Sequence, residues 1–129
     1  DKESEARSLY KKLLAANPKN EDACIFLGKS LAVDKKTDAA LTQLRTCSKA
    51  DKSNGMYDYY IGKIYLDMGR VPLAMDSFKQ AFKRQPSLSQ AVSALGILLE
   101  EREKHNEAIK VYSQYLSTQP NDSSILTRI

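Results

Sequence analysis

Chemistry in this chain would have to come from very few side chains. The single histidine, His105, stands between Lys104 and Asn106 in a polar stretch, where an imidazole meets solvent rather than a metal or a nucleophile. The two cysteines, Cys24 and Cys47, form no CxxC pair and have no histidine near them in sequence, so neither zinc spacing nor a Cys–His couple is present. Their number favours free thiols acting as small core residues, with a disulfide as the alternative if the two sit side by side in an oxidising compartment. Glu100, Glu101 and Glu103 bunch together, but neighbouring acids at a helix end read as a solvated face rather than an acid–base pair. No phosphate-cradling glycine loop or dinucleotide fingerprint occurs. Asn121-Asp122-Ser123 fits the glycosylation sequon, which matters only in a secreted protein. The expectation is a chain with no catalytic residue, no metal ligands and no cofactor, and not an enzyme.

Binding is then the chemistry left, and charge says with what. Of 129 residues, 42% are apolar and 28% charged, the balance of one ordinary soluble domain. The longest apolar stretch, Ala91 to Leu99, is broken by Ser93 and Gly96, far short of the roughly 18–20 residues of a membrane helix. Net charge is +4, unevenly spread: 16 basic and 11 acidic residues over 1–88 give +5, while 4 basic and 5 acidic residues over 89–129 give −1. Acidic partners are attracted to the N-terminal two-thirds. Opening at Asp1 with no Met or signal-like stretch, the chain reads as a piece of a longer protein. Its compartment is left undetermined, with a cytoplasmic one slightly favoured.

The elements that position these charges are written in a repeat. Gly28, Gly62 and Gly96 lie 34 residues apart, preceded by Leu27, Ile61 and Leu95 and followed three positions on by Leu31, Tyr65 and Leu99. Ala6, Ala40, Ala74 and Ala108 keep the same spacing, each trailed four residues later by Tyr10, Leu44, Phe78 and Tyr112. Pro18, Pro86 and Pro120 recur on the same period, with Lys52 in the missing slot. Small residues recur where two helices must approach closely; large apolar ones three and four apart form buried stripes; proline ends each second helix. Asp34-Lys35-Lys36, Gly69-Arg70 and Lys104-His105 read as the turns inside repeats, and Pro72 suits the first turn of a helix.

This pattern resembles the tetratricopeptide repeat family, whose period is about 34 residues. The resemblance spans the chain: full repeats at 21–54, 55–88 and 89–122, a second helix alone in 1–20, and the start of a further repeat in 123–129. The departures are local. The first large position holds Cys24, Asp58 and Val92; at the charged one, Tyr57 or Tyr59 is expected to fill the space. Tyr115 stands at a small-residue slot and is expected to splay the last helix pair. The resemblance implies an all-α, right-handed superhelical solenoid of helix–turn–helix repeats in one domain. The predicted helices are 3–16, 21–33, 37–50, 55–68, 71–84, 89–102, 105–118 and 122–129.

The family's first helices line a concave groove. Carried over by register, the groove positions include Ile25 and Lys29, then Met56, Tyr59, Lys63 and Asp67, then Gln90, Ser93, Ile97, Glu100 and Glu101. Lys29 and Lys63 are equivalent, one repeat apart. The implied function is a protein–protein interaction scaffold binding a peptide or protein segment, with acidic and apolar side chains suiting this groove. The chaperone-adaptor members of the family grip a C-terminal carboxylate with a clamp whose positions match Ile25, Lys29, Tyr60, Gln90 and Ala94; one cation of three does not rebuild it. A second basic ladder, Lys11, Arg45 and Lys79, with Lys49 and Lys83 a turn further, falls on the second helices. It lacks an aromatic stacking platform, so nucleic acid is not the expected partner. The alternative function is self-association: Ala6, Tyr10 and Leu13 at one end and Leu126 and Ile129 at the other could meet head to tail as a weak homo-oligomer, with Ile125 presented beside them.

Overall fold

The computed structural model describes residues 1–129. Eight helices follow one another without a strand: α1 Lys2–Ala16, α2 Glu21–Val33, α3 Thr37–Ala50, α4 Met56–Asp67, α5 Val71–Arg84, α6 Ser89–Glu101, α7 His105–Thr118 and α8 Ser123–Leu126. Each helix packs on its neighbours in the chain, and the first helices α2 and α4 also touch. The fold is the expected helical solenoid of tetratricopeptide type: α2 pairs with α3, α4 with α5 and α6 with α7, while α1 packs on α2 and α8 on α7. No helix is long and apolar enough to cross a membrane.

The close approaches fall where the small residues stand. A Cβ on Gly28 would lie 2.9 Å from the Leu44 side chain, on Gly62 2.5 Å from the Phe78 ring, and on Gly96 2.3 Å from the Tyr112 ring. Each glycine therefore seats the large residue of its own second helix against the first helix. Ala40, Ala74, Ala81 and Ala108 are almost wholly buried at the same seams. A core of Ala74, Phe78, Val92, Leu95, Leu99, Tyr112 and Tyr115 runs through the C-terminal repeats, and a smaller one of Cys24, Leu41, Leu44, Cys47, Tyr57 and Ile61 through the N-terminal ones.

The first helices end alike. Backbone N–H groups of Lys35 and Lys36 donate to Ala32 and Leu31, those of Gly69 and Arg70 to Leu66 and Tyr65, and those of Glu103 and Lys104 to Glu100 and Leu99. This is the paired-bond termination that needs a left-handed residue after the cap, and Lys35, Gly69 and Glu103 supply it with φ of 62°, 74° and 59°. Starts repeat too: Asn20 and Asp122 side chains accept from the N–H groups of Ala23 and Ser124, and the Asn54 side chain from that of Met56.

Three expectations are corrected. Cys24 and Cys47 are joined in a disulfide, not free: the first large slot of α2 and the small slot of α3 face each other inside one repeat, with Cα atoms 6.5 Å apart. The last helix spans Ser123–Leu126 rather than 122–129, so short a segment being marginal as a helix on its local signals alone. Ile125 is not presented to solvent; it is fully buried in the C-terminal core, while Leu126 and Ile129 stay exposed. At the charged slot, Tyr57 is the tyrosine that fills the space, fully buried. Asp58 instead pairs with Arg84 at 2.7 Å, and Arg84 also donates to the carbonyls of Ser48 and Lys52, tying α5 to the end of α3. Burial pushes the Asp58 carboxyl up, and Arg84 pulls it partly back. Tyr115 is buried, its hydroxyl donating to Asp122 at 2.6 Å.

Candidate binding groove

The first helices bring Lys29 of α2 and Lys63 of α4 to one aromatic surface. Lys29 Nζ stands 5.1 Å from the Tyr60 ring centre, and Lys63 Nζ 5.7 Å from the same ring and 5.6 Å from that of Tyr59. The two rings meet edge to face with centres 5.4 Å apart. Neither ammonium is paired with a carboxylate of the chain; the ion pairs are Arg7 with Glu3 and Asp34, and Arg84 with Asp58. Two cations held over aromatic faces and left unpaired suit an anionic ligand group.

Tyr60, matched by register only to a position of the chaperone-adaptor clamp, is the ring that both lysines face. The spacing of Lys29 and Lys63 marked the cations, but the ring between them comes from helix α4 turning it toward α2. The signal available in the sequence was the Tyr59-Tyr60 pair itself. Tyr59 serves two masters: it faces Lys63, and its ring packs 5.8 Å from Phe78.

A hollow of about 190 Å³ opens between α2 and α4, lined by Lys29, Ala32, Val33, Leu44, Tyr60, Lys63, Ile64 and Asp67. A second hollow shares Lys29 and Tyr60 and holds Ile25 and Met56 with Tyr10, Glu21, Asp22 and Phe26. Ile25, Lys29, Met56, Tyr59 and Lys63 are thus brought together. Gln90, Ser93 and Ile97 lie on α6, outside these hollows; Gln90 is exposed, Ser93 and Ile97 half-buried. Glu100 accepts from the Tyr112 hydroxyl at 2.9 Å, so it is tied into the repeat.

The other ladder is differently engaged. Arg45 leans over the Tyr65 ring, 6.0 Å from its centre, and donates to its hydroxyl. Lys11, Lys49, Lys79 and Lys83 are exposed. At the ends of the molecule, Tyr10 stacks on Phe26 with centres 4.4 Å apart and Ala6 is half-covered, while Leu13, Leu126 and Ile129 are 39%, 49% and 59% exposed. No three His, Cys, Asp or Glu residues gather as a metal site.

A family model described as tetratricopeptide repeat matches residues 59–123. No curated protein sequence matches the chain. Solved structures do. One titled a crystal structure of MamA superposes with a TM-score of 0.63 at 23% identity, over 92% of this chain and 70% of that one. Another, a MamA protein, gives 0.62 at 23% identity over 92% and 65%. MamA residues 41 to the end from Desulfovibrio magneticus RS-1 gives 0.65 at 19% identity over 95% and 70%. At these identities the likeness is one of fold.

Proposed function

The chain belongs to the tetratricopeptide repeat family, and from that premise we propose that it is a protein-interaction module which binds a peptide or protein segment in its concave groove and selects acidic side chains there. The observation that carries this reading is the unpaired Lys29 and Lys63 ammonium pair over Tyr60. No catalytic role is proposed.

The test begins with peptides selected from a displayed random library on the immobilised protein. Affinity of a selected peptide is then measured for the native chain and for the Lys29→Glu/Lys63→Glu variant. The variant should bind at least about tenfold more weakly, and native binding should weaken as salt rises, because exposed charges are screened. Unchanged affinity in the variant would move the site elsewhere. Acidic C-terminal peptides of chaperones should not bind, because Ile25, Tyr60, Gln90 and Ala94 stand where the family's clamp has its other polar groups; binding abolished by amidating the peptide's terminus would contradict this.

A second reading, head-to-tail self-association, is favoured by the exposure of Leu13 against that of Leu126 and Ile129. Such a contact is heterologous and would propagate or close into a ring. Light scattering over a concentration series should then show mass growth that Leu13→Glu removes; a constant monomer mass would exclude it.

A further inference from the structure

The groove positions form rows across the repeats, and the rows differ in charge. One row runs Lys29, Lys63, Ile97; the next, one helical turn on, runs Val33, Asp67, Glu101. Asp67 and Glu101 are exposed, and neither is paired with a cation of the chain. Lys63 and Asp67 are four apart on α4, the spacing of a helix ion pair, and yet stand unpaired, because Lys63 leans toward Tyr59 and Tyr60. Beside these rows lies the apolar lining of the 190 Å³ hollow: Ala32, Ile64 and the second row's own Val33. Val33 is 76% exposed, the most exposed large apolar residue of the chain. A dry cavity of about 150 Å³ accepts a benzene ring, so this hollow admits one large side chain.

We propose that the occupant of this hollow is a partner segment of both charges: a large apolar side chain in the hollow, a carboxylate toward Lys29 and Lys63, and a cationic side chain toward Asp67 and Glu101. One helical turn separates the two rows, about 5.4 Å along the axis. Two residues of an extended chain cover about 6.6 Å with both side chains on one face, so acid and base fall two positions apart, and the apolar side chain is the next residue on that same face. The acidic row makes the groove directional. A segment entered backwards sets its acid against Asp67 and its base against Lys63, and a purely acidic segment meets repulsion at the second row.

This rests on the groove reading above, and the experiment separates the two. Peptides enriched from the displayed library are sequenced, and one is labelled for anisotropy against the native chain, Lys29→Glu/Lys63→Glu and Asp67→Lys/Glu101→Lys, all substituted at exposed positions and checked for helical content. The inference expects an acid, a large apolar residue and a base in the enriched set. Both double variants should weaken binding about tenfold or more, and Asp67→Lys/Glu101→Lys should gain affinity for the same peptide with its base changed to Glu. Enriched peptides lost by the lysine variant but indifferent to Asp67→Lys/Glu101→Lys would overturn the inference and leave the groove reading standing. No enrichment, or binding indifferent to the lysine variant, would overturn both.

Discussion

Two tyrosine hydroxyls sit where water does not reach. Tyr57 and Tyr112 are 0% and 1% exposed. Burial pushes both up to about 12; the charges of Glu21 and Asp51 add to it at Tyr57, and the hydrogen bond to Glu100 adds at Tyr112. An unfolded tyrosine ionises at its ordinary 10.0, while these hold their protons to about 12 in the fold. The native state therefore binds more protons in that window, and stability falls as pH rises through it. Near-ultraviolet titration should show a late tyrosinate step near pH 12 that coincides with loss of helical signal; ionisation of every tyrosine before any helix is lost would contradict the burial. Gly55 carries a sharper constraint. A Cβ there would lie 2.4 Å from the Ala81 carbonyl oxygen, which is backbone and cannot swing aside. Gly55→Ala should cost about 1–3 kcal/mol, measured by denaturant unfolding; a neutral substitution would mean that α4 and α5 are free to separate. This glycine was not legible in the repeat, because the equivalent slots hold Glu21 and Ser89. Gly28, Gly62 and Gly96 were legible because all three repeats need the same close approach.

Among the elements, α3, α5 and α7 run over the predicted spans because each has two clear punctuation marks: a polar turn before it and a C-terminal stop near a proline slot. The first helices α4 and α6 are shorter by a residue at one or both ends, and α8 is shorter still, since its length depends on packing rather than on local signals. The turns that end the first helices make a test of their own. Gly69 has φ of 74° with nothing near its absent Cβ, so Gly69→Ala is penalised by backbone strain alone. It should cost about 1–2 kcal/mol. Glu103, in the equivalent slot with φ of 59°, should respond in the opposite sense. Glu103→Gly should stabilise by up to about 1 kcal/mol, the strain relieved being partly offset by the flexibility of glycine in the unfolded chain. Thermal unfolding of the two variants decides it, and shifts of the same sign in both would contradict a left-handed turn shared by the repeats.

Across the whole molecule, the repeats are coupled only to their neighbours, so the disulfide matters locally. Cys24 and Cys47 are 23 residues apart in sequence. Closing a loop of this size stabilises by about 3 kcal/mol in the chain-entropy account. Reduction, or Cys24→Ala/Cys47→Ala, should lower the melting temperature by on the order of 10 °C, with hydrogen exchange rising first in α2 and α3. Melting unchanged by reductant, with two thiols titrating freely, would contradict the bond. The pairing was only half legible: the 34-residue register places Cys24 and Cys47 in helix-contact slots, but sequence alone does not say that those slots face each other. The candidate groove was legible in the same partial way: the repeat marks Lys29 and Lys63 as equivalent, and the fold brings both ammonium groups to the Tyr60 ring. The most direct test of the groove is to map a library-selected peptide by amide chemical shifts in the labelled protein. The largest changes should fall at Lys29, Tyr60 and Lys63 and extend to Val33 and Asp67. Changes confined to Lys11, Arg45 and Lys79 on the second helices would contradict the account.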